Sequence, residues 1–327
     1  MTAPARDAVV VRAPARLHFG VLDLHGGLGR RFGGIGAAIP SPGLVLEAVP
    51  AAEISAHGPD AERVAGFAER YLAATGIRGG ARLTVRHAIP AHAGLGSGTQ
   101  LALAVARALA ELYEQPTGAG ALARAVERGR RSAIGTWAFE AGGFILEGGR
   151  REGSDAVAPL LARHAMPENW RYVVAVPAGK PGLSGDAEAE AFRRLPRPAL
   201  AEVEHVAHLV VMQLLPALAE ADLPGFGAAL TEIERITGGW FAPAQGGIFA
   251  PGPTRNLIRQ LAEAGAVGVG QSSWGPAVYA ITDGSAAAAD LAARAAAWVG
   301  EGGQVFQGPF QNHGATVERG LASLTSD

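Results

Sequence analysis

The chain of 327 residues contains no cysteine and only one lysine, Lys180. The absence of cysteine excludes disulfide bonds and thiolate chemistry. Because 28 residues are lysine or arginine, nearly every cationic side chain is an arginine. Any clamp on a phosphate group must therefore be built mainly from guanidinium groups, whose bidentate geometry suits that ligand.

The chain also lacks an excess of charge of either sign and lacks long apolar runs. Its formal net charge of −2 at pH 7 gives no indication of a nucleic-acid or membrane partner. No segment approaches the roughly 18 uninterrupted apolar residues of a membrane-spanning helix. The first 17 residues favour an opening strand over a signal peptide. We therefore expect a cytoplasmic protein that binds neither nucleic acid nor membrane.

Length and composition predict a large core and two domains, residues 1–165 and 166–327, since 48% of the residues are hydrophobic. Strands are expected at 8–12, 44–49, 81–89, 142–147, 172–176, 267–270 and 277–281. Helices are expected at 61–75, 100–114, 118–130, 199–220, 225–236, 254–264 and 286–299. The glycine-rich residues 13–43 are expected to be irregular. Because strands and helices do not alternate strictly, the pattern indicates an α+β protein.

The most informative segment is IPAHAGLGSGTQLAL at residues 89–103, where Gly94, Gly96 and Gly98 surround Ser97. Glycine lets the backbone turn several N–H groups toward one point, and a helix N-terminus adds about half a positive charge there. The segment therefore predicts a phosphate-binding loop that opens a helix; a tight turn before a core helix is the structural alternative. It lacks the lysine of a P-loop, and the strand before it alternates as an antiparallel strand does, unlike a dinucleotide-binding unit.

Charged residues are concentrated among glycines in APARLHFGVLDLHGGLGRRFGGIG, residues 13–36. Its candidates for binding an anion are Arg16, Arg30 and Arg31, and its candidates for proton transfer or metal binding are His18, Asp23 and His25. A solvated surface loop is the alternative interpretation.

The glycine-rich loop resembles the Pro-x-x-x-Gly-Leu-Gly-Ser-Ser loop of the GHMP superfamily, which includes galactokinase, homoserine kinase and mevalonate kinase. The resemblance implies a two-domain α+β fold, in which an N-terminal domain carries the phosphate loop in a left-handed βαβ-type unit and the C-terminal domain is ferredoxin-like. A second segment, GRRSAIGTWAFEAGG at residues 129–143, has Gly135 where the kinases have a catalytic aspartate. This departure argues against ordinary kinase chemistry.

Further segments narrow the resemblance, namely GLSGDAEAEAF at 182–192, QGGIF at 245–249, GVGQSSWGPAVY at 268–279 and QNHGA at 311–315. With them the chain is similar to the β-ribofuranosylaminobenzene 5′-phosphate synthase family of tetrahydromethanopterin biosynthesis. That family condenses phosphoribosyl pyrophosphate with 4-aminobenzoate or 4-hydroxybenzoate, releasing carbon dioxide and pyrophosphate. The resemblance thus implies a decarboxylating phosphoribosyltransferase and leaves the choice of benzoate open. An ATP-dependent GHMP kinase and a non-catalytic binding protein are the alternatives.

For this reaction we expect one set of catalytic residues, a second set of binding residues and a magnesium ion. The catalytic candidates are Arg16, His18, Asp23 and Arg30. The candidates for binding phosphate and substrate are Gly94, Leu95, Gly96, Ser97, Gly98, Thr99, Arg31, Lys180, Ser272, Ser273, Trp274 and Trp137, the two tryptophans by stacking on the aryl ring. Ser97 and Glu127 are the candidate Mg²⁺ ligands. A homodimer is the default expectation for such an enzyme.

Overall fold

The computed structural model describes residues 8–179, 182–183 and 185–320. The strands are β1 (Ala8–Asp23), β2 (Arg30–Ala51), β3 (Ser55–His57), β4 (Gly80–His87), β5 (Phe144–Glu147), β6 (Arg150–Arg151), β7 (Leu160–His164), β8 (Trp170–Val176), β9 (Val267–Gln271), β10 (Val278–Asp283), β11 (Gln304–Pro309) and β12 (Thr316–Gly320). The helices are α1 (Ala61–Thr75), α2 (Ser97–Leu112), α3 (Ala119–Ala125), α4 (Ile134–Ala141), α5 (Gly185–Arg194), α6 (Leu200–Leu209), α7 (Leu215–Ala219), α8 (Leu223–Gln245), α9 (Pro253–Glu263) and α10 (Ser285–Trp298). A π-helical turn, Val210–Leu214, joins α6 to α7.

The first sheet has eight strands and is built around the long antiparallel hairpin β1–β2. The expectation that residues 13–43 are irregular is therefore wrong. Ala13, Ala15, Leu17 and Phe19 are all buried on β1, so this segment packs into the core. The glycines allow close approach of the two strands, because a Cβ on Gly36 would lie only 2.3 Å from the carbonyl oxygen of Leu17.

A parallel pair, β3 and β4, lies beside this hairpin with α1 between the two strands in the chain. Helix α2 begins at the glycine-rich loop and is apolar on nearly every side; even Gln100 is fully buried, and its side chain donates to the carbonyl of Gly135 at 2.8 Å. A helix that is apolar all round is one that crosses a core. The loop at its N-terminus is thus anchored to the centre of the molecule.

The second sheet has four antiparallel strands in the order β11-β8-β10-β9. With the intervening helices, the chain order is β-α-β-β-α-β, which is the ferredoxin-like arrangement that the sequence resemblance implies. The two sheets divide between β7 and β8, and β12 returns to pair with β1. Thr316–Gly320, which fall within the predicted range 166–327, therefore pack with the N-terminal sheet. No helix of the described part of the chain is both long enough and apolar enough to cross a membrane.

Candidate active site

The glycine-rich loop is held in place by the backbone of β1 and by the segment after β9. Gly94 and Gly96 both have φ of +81°, a conformation that glycine adopts without steric cost. The carbonyl oxygen of Gly94 accepts hydrogen bonds from Nη1 of Arg16 at 2.5 Å and from Oγ of Ser272 at 2.7 Å. A Cβ on Gly94 would lie 2.2 Å from the carbonyl oxygen of Ser272. The loop, Arg16 and the 272–275 turn therefore form one interlocked unit.

Ser272 joins the two halves of that unit, since its hydroxyl also accepts the backbone N–H of His18 at 3.0 Å. The imidazole of His18 is buried, and burial together with the charge of Arg16 lowers its pKa to about 3. His18 is thus neutral at physiological pH. Burial lowers the pKa of Arg16 to about 10, with Glu188 acting in the opposite direction, so Arg16 keeps its positive charge.

A cavity of about 650 Å³ opens beside this unit. One wall carries arginines from the segment before α4 and from β6, namely Arg128, Arg130, Arg131 and Arg150. Arg130 and Arg131 each pair with an acid, Glu127 at 2.8 Å and Glu188 at 2.6 Å. The wall is cationic and directed toward the start of α2.

Arg128 is the least compensated of these cations. Among the described residues no acidic side chain forms an ion pair with it, and its buried Nε has no hydrogen-bond partner. Burial lowers the pKa of Arg128, and the positive charges of Arg63, Arg70 and Arg131 lower it further, while the negative charge of Glu188 acts in the opposite direction. A Cβ on Gly98 would lie 2.9 Å from Nη2 of Arg63 and 3.8 Å from Nη2 of Arg128. Two guanidinium groups therefore meet the first turn of α2, where the helix dipole already favours an anion.

Aromatic side chains form another part of the lining, namely Phe32, Phe192, Phe241 and Trp274. The guanidinium of Arg131 lies 5.5 Å from the ring centroid of Phe192, so the arginines adjoin the aromatic rings. The ring centroids of Phe241 and Trp274 are 4.9 Å apart at 75°, and those of Phe192 and Trp274 are 5.5 Å apart at 82°. Edge-to-face rings of this kind form a rigid apolar surface suited to a flat ligand. The cavity thus combines anion-binding groups with an adjoining aryl-binding surface.

Helix α8 supplies a polar stripe to the same cavity. Glu234, Thr237 and Gly238 line the cavity together with Phe241, at the i, i+3, i+4 and i+7 positions of one helix face. Burial raises the pKa of Glu234 to about 8, although hydrogen bonds from Tyr279 and the Gln271 backbone oppose this shift. Glu234 is thus largely protonated at neutral pH in the free protein.

The predicted site residues separate into three sets. Those that line the cavity are Arg16, His18, Thr99, Glu127, Ser273 and Trp274. Those that build the loop, its first helical turn or its support are Gly94, Leu95, Gly96, Ser97, Gly98 and Ser272. Those that lie outside the cavity walls are Asp23, Arg30, Arg31 and Trp137. Lys180 falls outside the described residues.

The residues of the third set have local structural partners. Asp23 accepts the N–H of Gly26 at 2.8 Å and so closes the β1–β2 turn. Arg30 donates to the carbonyl of Gly149 at 3.0 Å, and Trp137 donates to the carbonyl of Ala158 at 2.8 Å. The guanidinium of Arg31 lies 5.6 Å from the ring centroid of Phe32.

Sequence reasoning did not single out Arg128, Arg150, Phe192, Phe241 or Glu234. The dense arginines of ERGRRS at 127–132 were a usable signal, because such a run beside a glycine is costly unless an anion balances it. The helical spacing of Glu234, Thr237 and Phe241 was another, since it mixes a carboxylate into the apolar face of α8.

Family models agree with this architecture. The model described as GHMP kinases N terminal domain matches residues 62–142, and the model described as GHMP kinases C terminal matches residues 214–300. Among solved structures, homoserine kinase from Cytophaga hutchinsonii has a TM-score of 0.70 at 19% identity, covering 97% of this chain and 99% of its own. Mevalonate diphosphate decarboxylase from Staphylococcus aureus has a TM-score of 0.65 at 13% identity, covering 95% and 98%. At these identities the similarity establishes the fold alone.

Curated relatives are more similar in sequence. Beta-ribofuranosylphenol 5′-phosphate synthase of Methanothermobacter thermautotrophicus is 37% identical over 296 residues, which cover 84% of this chain and 89% of that protein. The enzyme of the same name from Methanocaldococcus jannaschii is 32% identical over 304 residues, covering 84% and 90%.

Proposed function

Since the chain belongs to the β-ribofuranosylphenol 5′-phosphate synthase family within the GHMP fold, we propose that it is a decarboxylating phosphoribosyltransferase. It transfers the ribosyl 5-phosphate group of phosphoribosyl pyrophosphate to the ring carbon of a 4-substituted benzoate, in tetrahydromethanopterin biosynthesis. Carbon dioxide and pyrophosphate leave. The observation that carries this proposal is the cavity in which arginines adjoin a cluster of aromatic rings.

The acceptor is 4-hydroxybenzoate or 4-aminobenzoate. The names of the relatives specify a ribofuranosylphenol, and this reaction yields a phenol from the hydroxy compound. We therefore propose 4-hydroxybenzoate as the preferred acceptor, with 4-aminobenzoate as the competitor to be tested beside it.

The pyrophosphate group would bind at the first turn of α2. The loop N–H groups and the helix dipole favour negative charge there, and Arg63 and Arg128 approach the same turn. As the C1–oxygen bond of the ribose breaks, negative charge accumulates on the leaving pyrophosphate. Preorganised donors at that position stabilise this charge without reorganisation, which is the largest contribution that most active sites make.

The benzoate would bind against Phe241 and Trp274, with its carboxylate toward the arginine wall. Its ring carbon that carries the carboxylate attacks C1 of the ribose, which has oxocarbenium character. The substituent in the para position releases electrons into the ring. Loss of carbon dioxide returns an electron pair to the ring and restores aromaticity, so the ring carbon has no proton for a base to remove. Gly135 stands at the place of the kinase aspartate, and a Cβ added to it would lie 3.1 Å from Cγ2 of Thr99. The proposed reaction requires no carboxylate at this position.

A magnesium ion fits the donors of this cavity when it arrives with the substrate. No group of three histidine, aspartate or glutamate side chains in the described part of the chain is arranged to hold an ion by itself. Magnesium in proteins usually takes one or two carboxylates together with substrate phosphates and water. Glu127 and Asp186 line the cavity, and Ser97 is the first residue of α2. The chemistry that bound magnesium would supply is neutralisation of the pyrophosphate charge.

The proposal is tested with carboxyl-labelled 4-hydroxybenzoate and 4-aminobenzoate. We expect release of labelled carbon dioxide that requires both phosphoribosyl pyrophosphate and Mg²⁺, and that is abolished by a chelator. The control replaces phosphoribosyl pyrophosphate by ATP. Phosphorylation of a small alcohol such as homoserine, without loss of label, would instead establish a kinase. Cytoplasmic location and a homodimer stay proposals, and light scattering during gel filtration decides the second.

A further inference from the structure

Glu234 is a buried carboxyl group inside the cavity that has no cationic partner among the residues that the structure describes. It is 5% exposed and lines the cavity from α8. The hydroxyl of Tyr279 donates to its Oε1 at 2.5 Å. Burying a carboxyl group without a cation costs free energy that an apolar side chain would avoid. Such a group in a cavity is typical of functional sites.

The surroundings of Glu234 are built to accommodate it. A Cβ on Gly270 would lie 2.4 Å from Oη of Tyr279 and 2.7 Å from Cδ of Glu234. Only glycine at position 270 leaves room for the pair. The sequence GVGQSSWG, in which Gly270 is the second glycine, therefore serves this carboxyl group as well as the phosphate loop.

Few other charged or titratable groups face Glu234. Tyr279 approaches it from β10, and Arg16 and His18 line the same cavity from β1. Strand β9, the π-helical turn and α7 carry no ionisable side chains. On α6, Glu202 accepts from Trp240 at 3.0 Å, and His205 acts on the exposed Glu232. The lowered pKa of His18, about 3, makes its imidazole a weak base, and Arg16 is a cation bonded to Gly94. Glu234, with a pKa of about 8, is the more basic group.

The aryl surface lies next to Glu234 on the same helix. Phe241 is two turns further along α8, and Thr237 and Gly238 lie between them on the cavity side. A benzoate ring held by Phe241 and Trp274 with its carboxylate toward the arginines directs its para substituent away from them. Glu234 is the polar side chain at the end of this stripe that is farthest from Phe241.

We propose that Glu234 is a further catalytic residue, which accepts the proton of the para hydroxyl or amino group of the benzoate and later returns it. This inference rests on the proposed function. When the ring carbon bonds to C1 of the ribose, the ring becomes cationic and the para O–H or N–H becomes acidic. Its proton moves to the carboxylate of Glu234, leaving a neutral dienone or dienimine. Carbon dioxide then departs, its bonding electron pair restores the aromatic ring and moves negative charge to the para atom, and the carboxylic acid gives the proton back.

The proton transfer predicts a definite pH dependence. The carboxylate is the active form, so kcat rises with pH through the pKa of Glu234 and then reaches a plateau. Tyr279 donates to the carboxyl group and thereby lowers its pKa, so loss of the Tyr279 hydroxyl raises that pKa. The inflection of the profile consequently depends on a residue that need not touch the substrate.

The test compares Glu234→Gln and Tyr279→Phe with wild type over the pH range from about 6 to 9. Glu234→Gln should lower kcat about 10²- to 10⁴-fold, with little change in the KM for phosphoribosyl pyrophosphate, and should abolish the rise with pH. Tyr279→Phe should retain the rise but move its inflection to higher pH. Glu232→Gln is the matched control, because Glu232 lies on the same helix and is paired with Arg235 on the surface. It should behave as wild type.

Three results would overturn the inference. They are a Glu234→Gln enzyme with near-native kcat, a rise with pH that persists in that variant, and an unmoved inflection in Tyr279→Phe. The rise is measured with 4-aminobenzoate as well, because its amino proton does not ionise in this range, whereas the hydroxyl of 4-hydroxybenzoate approaches its own ionisation. If Glu234→Gln does not fold, Tyr279→Phe decides. A wild-type protein that releases no carbon dioxide refutes the proposed function instead.

Discussion

Among the side chains of the cavity, Arg128 is the one for which we expect a role in binding substrate and not in stabilising the fold. It is partly buried beside Arg63, Arg70 and Arg131, and these charges, with burial, lower its pKa. Such an arrangement destabilises the folded protein unless an anion is bound. Its favourable local contact is with the ring of Phe67, whose centroid is 4.9 Å from Cζ.

We therefore expect Arg128→Ala to lower kcat/KM for phosphoribosyl pyrophosphate about 10- to 150-fold, which corresponds to roughly 1.5–3 kcal/mol for a charge-assisted hydrogen bond. The melting temperature of the free enzyme should not fall. Arg128→Lys should recover only part of the rate, because the bidentate fork is lost. Steady-state kinetics and thermal unfolding measure the two effects.

The control for that substitution is Arg259→Ala, which removes an exposed arginine paired with Glu263 at 3.0 Å. Its effect on stability should be within about 0.5 kcal/mol, and its kinetics should be native. A large drop in melting temperature for Arg128→Ala with unchanged kinetics would make Arg128 a structural residue.

Adjacent serines should behave differently. Ser272 is fully buried and bridges the N–H of His18 and the carbonyl of Gly94, whereas Ser273 lines the cavity. Ser272→Ala should lower the unfolding free energy by about 1–3 kcal/mol, because it leaves a buried N–H unsatisfied. Ser273→Ala should alter KM with little loss of stability. Denaturant unfolding and kinetics of both variants test this, and equal stability losses would contradict it.

The arginines show where sequence reasoning stops at this scale. Arg16 could be placed beside the phosphate loop from its motif, and it lines the cavity. Arg30 and Arg31 belong to an equally charged segment, yet they lie in the part of β2 that pairs with β6. Their side chains contact Gly149 and Phe32 instead. Which arginines converge depends on strand pairing between distant segments, and a single sequence does not contain that information.

At the scale of elements, the glycine-rich loop and the first turn of α2 form a single anion-binding structure. Gly96 is the N-cap of α2 with φ of +81°, and a Cβ there would lie 2.9 Å from Cγ of Arg16. Gly96→Val should therefore displace both the loop N–H groups and Arg16. We expect affinity for phosphoribosyl pyrophosphate to fall at least 10-fold, and more than affinity for the benzoate, in calorimetric titrations of each ligand.

Gly66→Ala is the matched control for that substitution. Gly66 lies inside α1, and nothing is within 4 Å of an added Cβ. Alanine in a helix interior is more stable than glycine by about 0.5–1 kcal/mol, so this variant should melt slightly higher and bind both ligands normally. Equal losses for the two ligands in Gly96→Val would place the phosphate site elsewhere.

Helices with strong periodicity could be predicted from the sequence, and elements defined by pairing could not. The predicted helix at 61–75 coincides with α1, and that at 254–264 differs from α9 by one residue at each end. Helix α4 was missed because it is only eight residues long, five of them buried, and about two turns are too few to show a clear helical period. The hairpin β1–β2 was missed because glycine was taken to indicate irregular backbone, whereas here it permits two strands to pack tightly.

At the scale of the whole molecule, the cavity exists only when the two sheets pack together, because both of them contribute residues to its lining. The cavity takes Arg16 and His18 from the first sheet, and Gln271 and Trp274 from the end of β9. Strand β12 returns to β1 after the second sheet is complete, so the last described strand belongs to the first sheet. The buried groups Glu147, Glu234 and His18 should control how the stability of the entire protein depends on pH.

Two buried carboxyl groups have raised pKa values, about 7 for Glu147 and about 8 for Glu234 against an ordinary value of 4.5, because burial penalises their charged forms. Between 4.5 and those values the folded state binds more protons than the unfolded state. The unfolding free energy therefore falls as pH rises through that range. His18 acts in the opposite direction, since its pKa is lowered from 6.5 to about 3 and its contribution is lost as pH falls below 6.5.

Of these three groups, only the two carboxyl groups still titrate above about pH 6.5, so we expect stability to decrease from about pH 6.5 to about pH 8.5. Glu234→Gln should flatten the upper part of that decrease, because the amide has no charge to bury. Glu232→Gln should keep the native slope, since hydrogen bonds from Arg235 lower the pKa of Glu232 and remove its titration from this range. Urea unfolding at half-unit pH intervals measures the slopes. An undiminished slope in Glu234→Gln would show that Glu234 does not titrate in this window, and the proton-transfer role proposed for it would lose its support from the folded state.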